Sequence, residues 1–326
     1  MAAPLVVAVV GPTAAGKSDL AVALCKDLGG EVVNADAMQV YRGMDIGTAK
    51  IGTAERDGVP HHLLDVLDVT ETATVAEFQE LARAAIDDCI GRGKVPVLAG
   101  GSALYIRAIL DDFVFPGTDP AVRARLEAEL EAEGSGALHR RLAQQDAKAA
   151  EQILPSNGRR IVRALEVIEI TGGPYVATLP EHRYVYPGAV QLGLDVPRPE
   201  LDERIGRRVD RMFDAGFVAE VRGLLDKGLI EGKTANRALG YSQVIALLNG
   251  EIDEAEARER TAQATRRFAR RQDSWFRKDQ RISWLRYDDP DLLEKARQVI
   301  AEGNRRPTGG VVGVEAAPRG AVDARG

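Results

Sequence analysis

The chain has 326 residues, a net charge of −6, 45% hydrophobic residues and 28% charged residues. At roughly 100 to 200 residues per domain this length predicts about two structural units, and the composition excludes a wholly disordered chain, a collagen-like repeat and a disulfide-stapled miniprotein. The first apolar run, Leu5 to Val10, is far shorter than the ~18 residues that cross a bilayer, and no basic residue precedes it, so we expect a cytoplasmic protein without a membrane segment.

Apolar runs alternate with helical patterns along most of the chain. The predicted strands are Leu5 to Val10, Glu31 to Asp36, Leu63 to Leu67, Val95 to Ala99, Val190 to Val196 and Ile282 to Tyr287. The main predicted helices are Ser18 to Leu28, Val75 to Ile90, Pro120 to Glu133, Arg159 to Ile170, Pro199 to Lys227, Ala235 to Leu248 and Asp253 to Lys278. This alternation predicts an α/β fold in which helices cover both faces of a parallel sheet.

The segment 119–186 contains charged helical patterns and no convincing strand, which predicts a helical insertion between two parts of the core, 1–118 and 187–303. The last residues, 304–326, lack periodicity, which predicts a disordered tail.

Cys25 and Cys89 lie in apolar helical segments, so we interpret them as buried side chains. No metal-ligand spacing joins them, and His61 and His62 have no acidic or cysteine partners at ligand spacing, which favours structural roles.

A phosphate-binding motif follows the first predicted strand. Gly11-Pro12-Thr13-Ala14-Ala15-Gly16-Lys17-Ser18 fits the pattern G-x-x-x-x-G-K-[ST] and leads into a predicted helix. Backbone N–H groups of such a P-loop point at phosphate oxygens, the lysine adds positive charge, and the serine can hold a magnesium ion. The motif alone is typical of a kinase or ATPase, which also needs an acidic residue after a later strand. Asp65 and Asp68 are candidates, although an edge-strand or solvent-exposed role fits them as well.

Asp36 ends the second predicted strand. Ligands of open α/β sheets gather outside the carboxyl ends of the strands, so we expect Asp36 beside the P-loop. A carboxylate there can accept a proton from a nucleophile aimed at a phosphorylated substrate. A helix cap or turn role fits the spacing as well.

Several segments together resemble the bacterial tRNA dimethylallyltransferase family over nearly all of residues 5–300. They are Gly11 to Ser18, Asp36 to Lys50, Pro60 to Leu63, Gly100 to Tyr105, Arg159 to Glu166 and Arg271 to Arg277. The resemblance implies transfer of a dimethylallyl group from its diphosphate to the exocyclic amine (N6) of the adenosine next to the anticodon, in tRNAs that read codons beginning with U. It also implies that the P-loop holds the leaving diphosphate with Mg²⁺.

The resemblance assigns roles to individual residues. Asp36 becomes the general base, while Thr13, Lys17 and Arg208 stabilise the diphosphate and Ser18 carries the metal. The implied tRNA contacts are Asp36, Ala37, Met38, Gln39, Ser102, Arg123, Arg159, Arg160, Arg163, Arg237, Gly240, Tyr241, Arg270, Arg271, Gln272, Trp275 and Arg277. At 37 and 242 this chain has Ala and Ser where the family has Ser and a basic residue.

The basic segment 258–281 has nine basic and three acidic side chains in an otherwise acidic chain. Such a concentration of charge suits an RNA backbone, although a solvated helix face gives the same pattern, and Trp275 is also a candidate for the core. Three alternatives remain: prenylation of a free adenine nucleotide, a small-molecule kinase, and a non-enzymatic RNA-binding module. The insertion and the basic segment favour a polymeric acceptor, so we expect a monomer that binds the anticodon stem-loop and dimethylallyl diphosphate.

Overall fold

A computed structural model describes residues 3–175 and 182–303; the predicted tail lies outside the described residues. The strands are β1 (Leu5–Val10), β2 (Glu31–Asn34), β3 (His61–His62), β4 (Pro96–Gly100), β5 (Gly188–Asp195) and β6 (Ile282–Arg286). The helices are α1 (Lys17–Leu28), α2 (Val75–Gly91), α3 (Ala103–Leu110), α4 (Pro120–Glu133), α5 (Ser135–Gln145), α6 (Ala147–Gln152), α7 (Gly158–Thr171), α8 (Arg198–Asp214), α9 (Phe217–Leu225), α10 (Tyr241–Leu248), α11 (Glu254–Phe276) and α12 (Leu292–Gly303).

The strands form one parallel sheet in the order β3-β2-β4-β1-β5-β6. Side chains of β1 alternate between two apolar cores because successive residues of a strand point to opposite faces. Val6, Ala8 and Val10 pack with residues of α2, α3 and α9 to α11, whereas Val7 and Val9 pack with α1 and α12. Helices therefore cover both faces, which confirms the predicted α/β class.

Three of the predicted elements are wrong in position or continuity. The third strand is His61–His62 and not Leu63 to Leu67, because Leu63 and Asp65 adopt left-handed φ angles of 62° and 57° that end the extended backbone. The helix predicted over Pro199 to Lys227 is broken at Gly216, whose φ is 101°. The helix predicted from Ala235 is a short 3-10 turn (Ala235–Arg237), and α10 starts only after Gly240.

Helices α4 to α7 occupy the segment in which we predicted an insertion. Leu126, Leu138, Leu142 and Leu165 form an apolar cluster of their own there. Cys25 and Cys89 are buried free thiols, as predicted. Among the described helices, no apolar stretch reaches the length that a bilayer crossing needs.

A buried ionic junction joins α3 to the chain that enters β6. Asp111 is fully buried and accepts hydrogen bonds from Arg107 at 3.0 Å and from Arg281 at 2.6 and 3.0 Å. Arg281 also pairs with Asp279 at 2.7 Å. Burial favours the protonated form of Asp279, but the hydrogen bonds and charge of Arg281 outweigh that effect and lower its pKa to about 2. The segment returning from α7 joins this junction, since Tyr184 bridges to Asp111 and stacks under Arg281.

Removing the acid at the centre of this junction is expected to destabilise the fold. Asp111→Asn removes the fully buried carboxylate that Arg107 and Arg281 share, so the free energy of unfolding should fall by about 3–5 kcal/mol in urea titration. Asp68→Asn is the matched control because the ion pair between Asp68 and Arg42 is exposed, and it should change stability little. Equal changes in the two variants would contradict a structural role for the junction.

Candidate functional site: a phosphate cleft beside a basic helix

The P-loop, Gly11–Ser18, connects the end of β1 to the first turn of α1. Gly11 and Gly16 have φ angles of 136° and 100°, which side chains other than glycine rarely tolerate. Gly16, the N-terminal cap of α1, makes no side-chain cap hydrogen bond, so the N–H groups of the first turn are left for an external anion. The loop therefore has the backbone geometry of an anion cradle.

Lys17 supplies the positive charge of this cradle. Its ammonium donates to the carbonyl of Pro12 at 2.8 Å. Burial and, to a smaller extent, the charge of Arg208 lower its pKa, the charge of Asp36 partly opposes them, and the resulting pKa is about 8. A desolvated lysine of this kind binds a phosphate oxygen strongly, because an anion restores the stabilisation that burial removed.

Asp36 follows the carboxyl end of β2 and is held by its own neighbours. The buried side chain of Asn34 accepts from the Asp36 N–H at 2.9 Å and donates to the carbonyls of Asp36 and Leu63, both at 3.0 Å. One Asp36 carboxylate oxygen accepts from the Met38 N–H at 2.9 Å. Among the described residues the second oxygen has no hydrogen-bond partner, which leaves it available to a substrate.

The P-loop and Asp36 line one cavity of about 1130 Å³, which we call the phosphate cleft. Its other walls include Gly100 at the end of β4, Gly101 directly after it, and residues of α8 and α11. The α8 wall is cationic, with Arg204, Arg207, Arg208 and Arg211. Arg208 donates to the carbonyl of Thr48 at 3.4 Å, and burial lowers the pKa of its guanidinium. The cleft thus brings the Asp36 carboxylate close to a lysine and several arginines.

Two positioning contacts at this cleft escaped the sequence analysis. Arg204 donates to the carbonyl of Ala14 at 2.8 Å and stacks on Tyr287, so it braces the P-loop from α8. Glu220 of α9 accepts from the N–H groups of Asp45, Ile46 and Gly47 at 3.0, 2.6 and 3.1 Å. The i, i+4 spacing of Arg204 and Arg208 predicts that they share a face, but no local pattern marks Glu220 as the anchor of a distant loop.

The predicted tRNA contacts separate by burial. Arg159, Arg160, Arg237, Arg270, Arg271, Trp275 and Arg277 are exposed; Asp36, Ala37, Met38, Gln39, Ser102, Arg123 and Arg163 are partly buried; Gly240, Tyr241 and Gln272 are buried. Trp275 is 47% exposed, so the alternative core position considered for it is wrong. Tyr241 donates to Glu220 at 2.7 Å, and among the described residues the Gln272 amide bonds to the backbone of Thr13 and Gly101, so both buried side chains already have intramolecular partners.

Arg123 and Arg163 have a structural partner on α7. Both bind the fully buried carboxylate of Glu166 at 2.7 Å. Arg163 also donates to the carbonyls of Pro116 and Gly117, at 2.7 and 3.2 Å. These contacts tie α4 and the incoming linker to α7, so the exposed Arg159 and Arg160 are the freer cations of that helix.

His62 has the acidic and cysteine neighbours that its sequence surroundings lack. Its Nε2 lies 2.7 Å from Glu31 Oε2 and 3.7 Å from Cys89 Sγ, which corrects our expectation about ligand spacing. Arg92 occupies both Glu31 oxygens at 2.6 and 2.7 Å, and these hydrogen bonds lower the pKa of Glu31 to about 2 despite its burial. Burial, with the charge of Glu31, raises the pKa of Cys89 to about 11, so a protonated thiol completes a network whose charge Arg92 already balances.

This fold and site define an α/β protein of the P-loop type, with a carboxylate and several cationic side chains around one cleft. Residues 39–279 match the family model described as IPP transferase. The chain belongs to that family.

Comparisons with individual proteins support this membership. A tRNA dimethylallyltransferase from Thermobifida fusca is 63% identical over 302 residues, 91% of this chain and 94% of its own. One from Streptomyces coelicolor is 64% identical over 299 residues, 92% and 96% of the two chains. A tRNA isopentenylpyrophosphate transferase from Bacillus halodurans matches with a TM-score of 0.67 and 39% identity over 92% and 98%. A eukaryotic dimethylallyltransferase, seen in crystallographic snapshots acting on tRNA, matches with a TM-score of 0.80 and 26% identity over 91% and 78%.

Proposed function

We propose that this chain transfers a dimethylallyl group from dimethylallyl diphosphate to N6 of the adenosine next to the anticodon, in tRNAs that read codons beginning with U. The observation that carries the proposal is the pairing of Asp36 with the cationic cradle across one cleft. The charge of Asp36 acts on both Lys17 and Arg208, so the three groups are close enough for one reaction centre. The names of the close relatives supply the substrate class.

In this reaction the P-loop binds a leaving group and phosphorylates nothing. The allylic C–O bond breaks, its electron pair goes to the diphosphate, and a C–N bond forms to the adenine amine. N–H groups of the P-loop, with Thr13, Lys17 and Arg208, stabilise the charge that develops on the diphosphate. Asp36 accepts the proton that the amine loses. The adenine must leave its stack to reach this position, which costs least in a loop.

Ser18 is the residue of the P-loop that fits a magnesium ion. It is exposed, it lines the cleft next to Lys17, and its hydroxyl is the type of ligand that accompanies phosphate oxygens on Mg²⁺. The ion would neutralise part of the diphosphate charge. The protein supplies the hydroxyl and, through the N–H groups of α1, the orientation of the phosphates.

The two acidic residues considered for a kinase, Asp65 and Asp68, both form ion pairs. Asp65 pairs with Lys50 at 2.6 Å and Asp68 pairs with Arg42 at 2.8 Å. Neither lines the phosphate cleft, so neither is placed to organise a nucleophile for phosphoryl transfer. This arrangement favours prenyl transfer over phosphorylation.

One assay separates the proposal from its alternatives. The protein is incubated with labelled dimethylallyl diphosphate, Mg²⁺, and either unmodified tRNA or AMP. We expect label in tRNA, whereas label in AMP alone would favour the free-nucleotide enzyme. ATP consumption without label transfer would favour a kinase, and RNA binding without turnover would favour a binding module.

Size-exclusion chromatography of the tRNA complex tests the proposed monomer, and fractionation of cells tests the proposed cytoplasmic location.

Arg271 is expected to contact a tRNA phosphate. It is exposed on α11, and its guanidinium lies over the ring of Phe268 at 5.8 Å, which directs it along the face that leads to the cleft. Arg271→Ala should weaken tRNA binding and reduce the slope of log K against log salt by about one. Arg260→Ala is the control on the same helix, because Arg260 pairs with Glu256 at 2.5 Å, and it should leave the slope nearly unchanged. An unchanged slope for Arg271→Ala would rule out the contact.

A further inference from the structure

Gln272 connects the basic helix to the P-loop. Its Oε1 accepts from the Thr13 N–H at 2.9 Å, and its Nε2 donates to the carbonyl of Gly101 at 2.8 Å. The side chain is 6% exposed and lies in the wall of the phosphate cleft. The opposite amide orientation would set two donors against each other and two acceptors against each other, so these partners define which end is oxygen.

The bond to Thr13 completes the support of a single peptide unit. The carbonyl of Pro12 and the N–H of Thr13 belong to the same planar group. Lys17 holds its oxygen at 2.8 Å, and Gln272 holds its N–H. When the lysine turns to a phosphate, Gln272 remains as the side-chain anchor of that peptide, and the orientation of this peptide sets the direction of the N–H groups that follow it in the loop.

The absence of a side chain at Gly101 allows the Gln272 amide to reach its carbonyl. A Cβ on Gly101 would lie 2.4 Å from Nε2 of Gln272, so only glycine lets the amide approach the backbone after β4. Gly101 precedes Ser102 and α3, and Gln272 follows the exposed Arg271 on α11. One buried amide therefore joins the P-loop, the β4–α3 loop and the helix whose exposed face carries the predicted tRNA contacts.

We propose that Gln272 is a positioning residue that, from its place on α11, holds the P-loop in its diphosphate-binding form. This inference rests on the proposed function. Gln272 supports the binding of dimethylallyl diphosphate and does not contact the tRNA. The amide is required chemically because one side chain must accept from an N–H and donate to a carbonyl at the same time. Methionine fills the space but does neither.

The experiment measures inorganic pyrophosphate binding with Mg²⁺ by calorimetry and tRNA binding by filter retention, on the full chain. Gln272→Met should weaken pyrophosphate binding about tenfold, as expected for a displaced set of loop N–H groups, and change tRNA affinity less than about twofold. Gly101→Ala should act in the same direction, because the added methyl group displaces the amide without altering α11. Arg271→Ala is the control with the opposite pattern, weaker tRNA binding with unchanged pyrophosphate binding.

The outcomes separate this inference from the proposed function. The assignment of the P-loop as the donor site would be overturned if the wild-type protein does not bind pyrophosphate. It would also be overturned if Lys17→Met binds pyrophosphate as tightly as the wild type does. If wild type binds and both Gln272→Met and Gly101→Ala bind equally well, only the positioning role fails. A loss of tRNA affinity in Gln272→Met with unchanged pyrophosphate affinity would restore Gln272 as an RNA contact. Thermal unfolding of each variant shows whether it is folded before binding is interpreted.

Discussion

Asp36→Asn should lower the rate of dimethylallyl transfer by about 10² to 10⁴ while tRNA affinity changes less than about twofold, as expected for the loss of a general base. Asparagine keeps the acceptor that bonds the Met38 N–H, so the turn after β2 is retained. It removes the proton acceptor that the exocyclic amine needs when the new C–N bond forms. The measurement is single-turnover transfer to tRNA under saturating donor, alongside tRNA binding.

Asp210→Asn is the control for this experiment. Asp210 lines the same cleft from α8, but it is exposed and its carboxylate lies 3.7 Å from Arg258. Its replacement should leave the transfer rate within about twofold of wild type, which is usual for surface changes. Equal rates for Asp36→Asn and wild type would remove Asp36 from the chemistry.

Lys17→Met should lower kcat/KM for the donor by about 10² to 10³, the usual effect of removing one group that stabilises an oxyanion. The wild-type protein should also show a pH dependence that the variant lacks. The pKa of Lys17 is lowered to about 8 in the free protein, so the ammonium is charged below that pH and loses its proton above it. Diphosphate affinity should be constant below about pH 8 and weaken by up to about tenfold per pH unit above it.

The comparison with Lys17→Met isolates the lysine in this pH series. Ionisation of the diphosphate itself affects both proteins equally, so the ratio of their affinities reports only the ammonium group. The ratio should be largest below pH 8 and shrink as the pH rises, since the neutral amine attracts an anion little. A constant ratio between pH 6 and 10 would show that the lysine does not titrate in this range or does not contact the ligand.

Much of the site was predictable because its residues form local patterns. The P-loop is contiguous, and its glycines, lysine and serine are arranged by one strand-to-helix turn. Asp36 follows a short apolar strand, and parallel strands end at a common edge, so its position beside the P-loop also follows from the sequence. The exposed arginines of α11 follow from one run of basic residues.

Contacts between residues distant in the chain could not be predicted in this way. Tyr241 and Gln272 belong to segments that resemble tRNA-binding motifs, and the structure adds hydrogen bonds from their polar atoms to Glu220 and to the backbone of the cleft. The breaks at Gly216 and before α10 were missed because the apolar pattern continues through them. Helical periodicity reports which face is apolar, and it does not report a glycine with positive φ.

The amino-acid sequence by itself determined the α/β class, the anion cradle, the carboxylate beside it and the basic helix, because each depends on residues near one another in the chain. Only the tertiary structure decided which polar side chains remain free. Gln272 contacts Thr13 and Gly101 across 259 and 171 positions, and Glu31, His62 and Cys89 meet from three different elements. A buried polar group bonds to the donor or acceptor that lies next to it after packing. Its partner therefore depends on how the helices pack against the sheet.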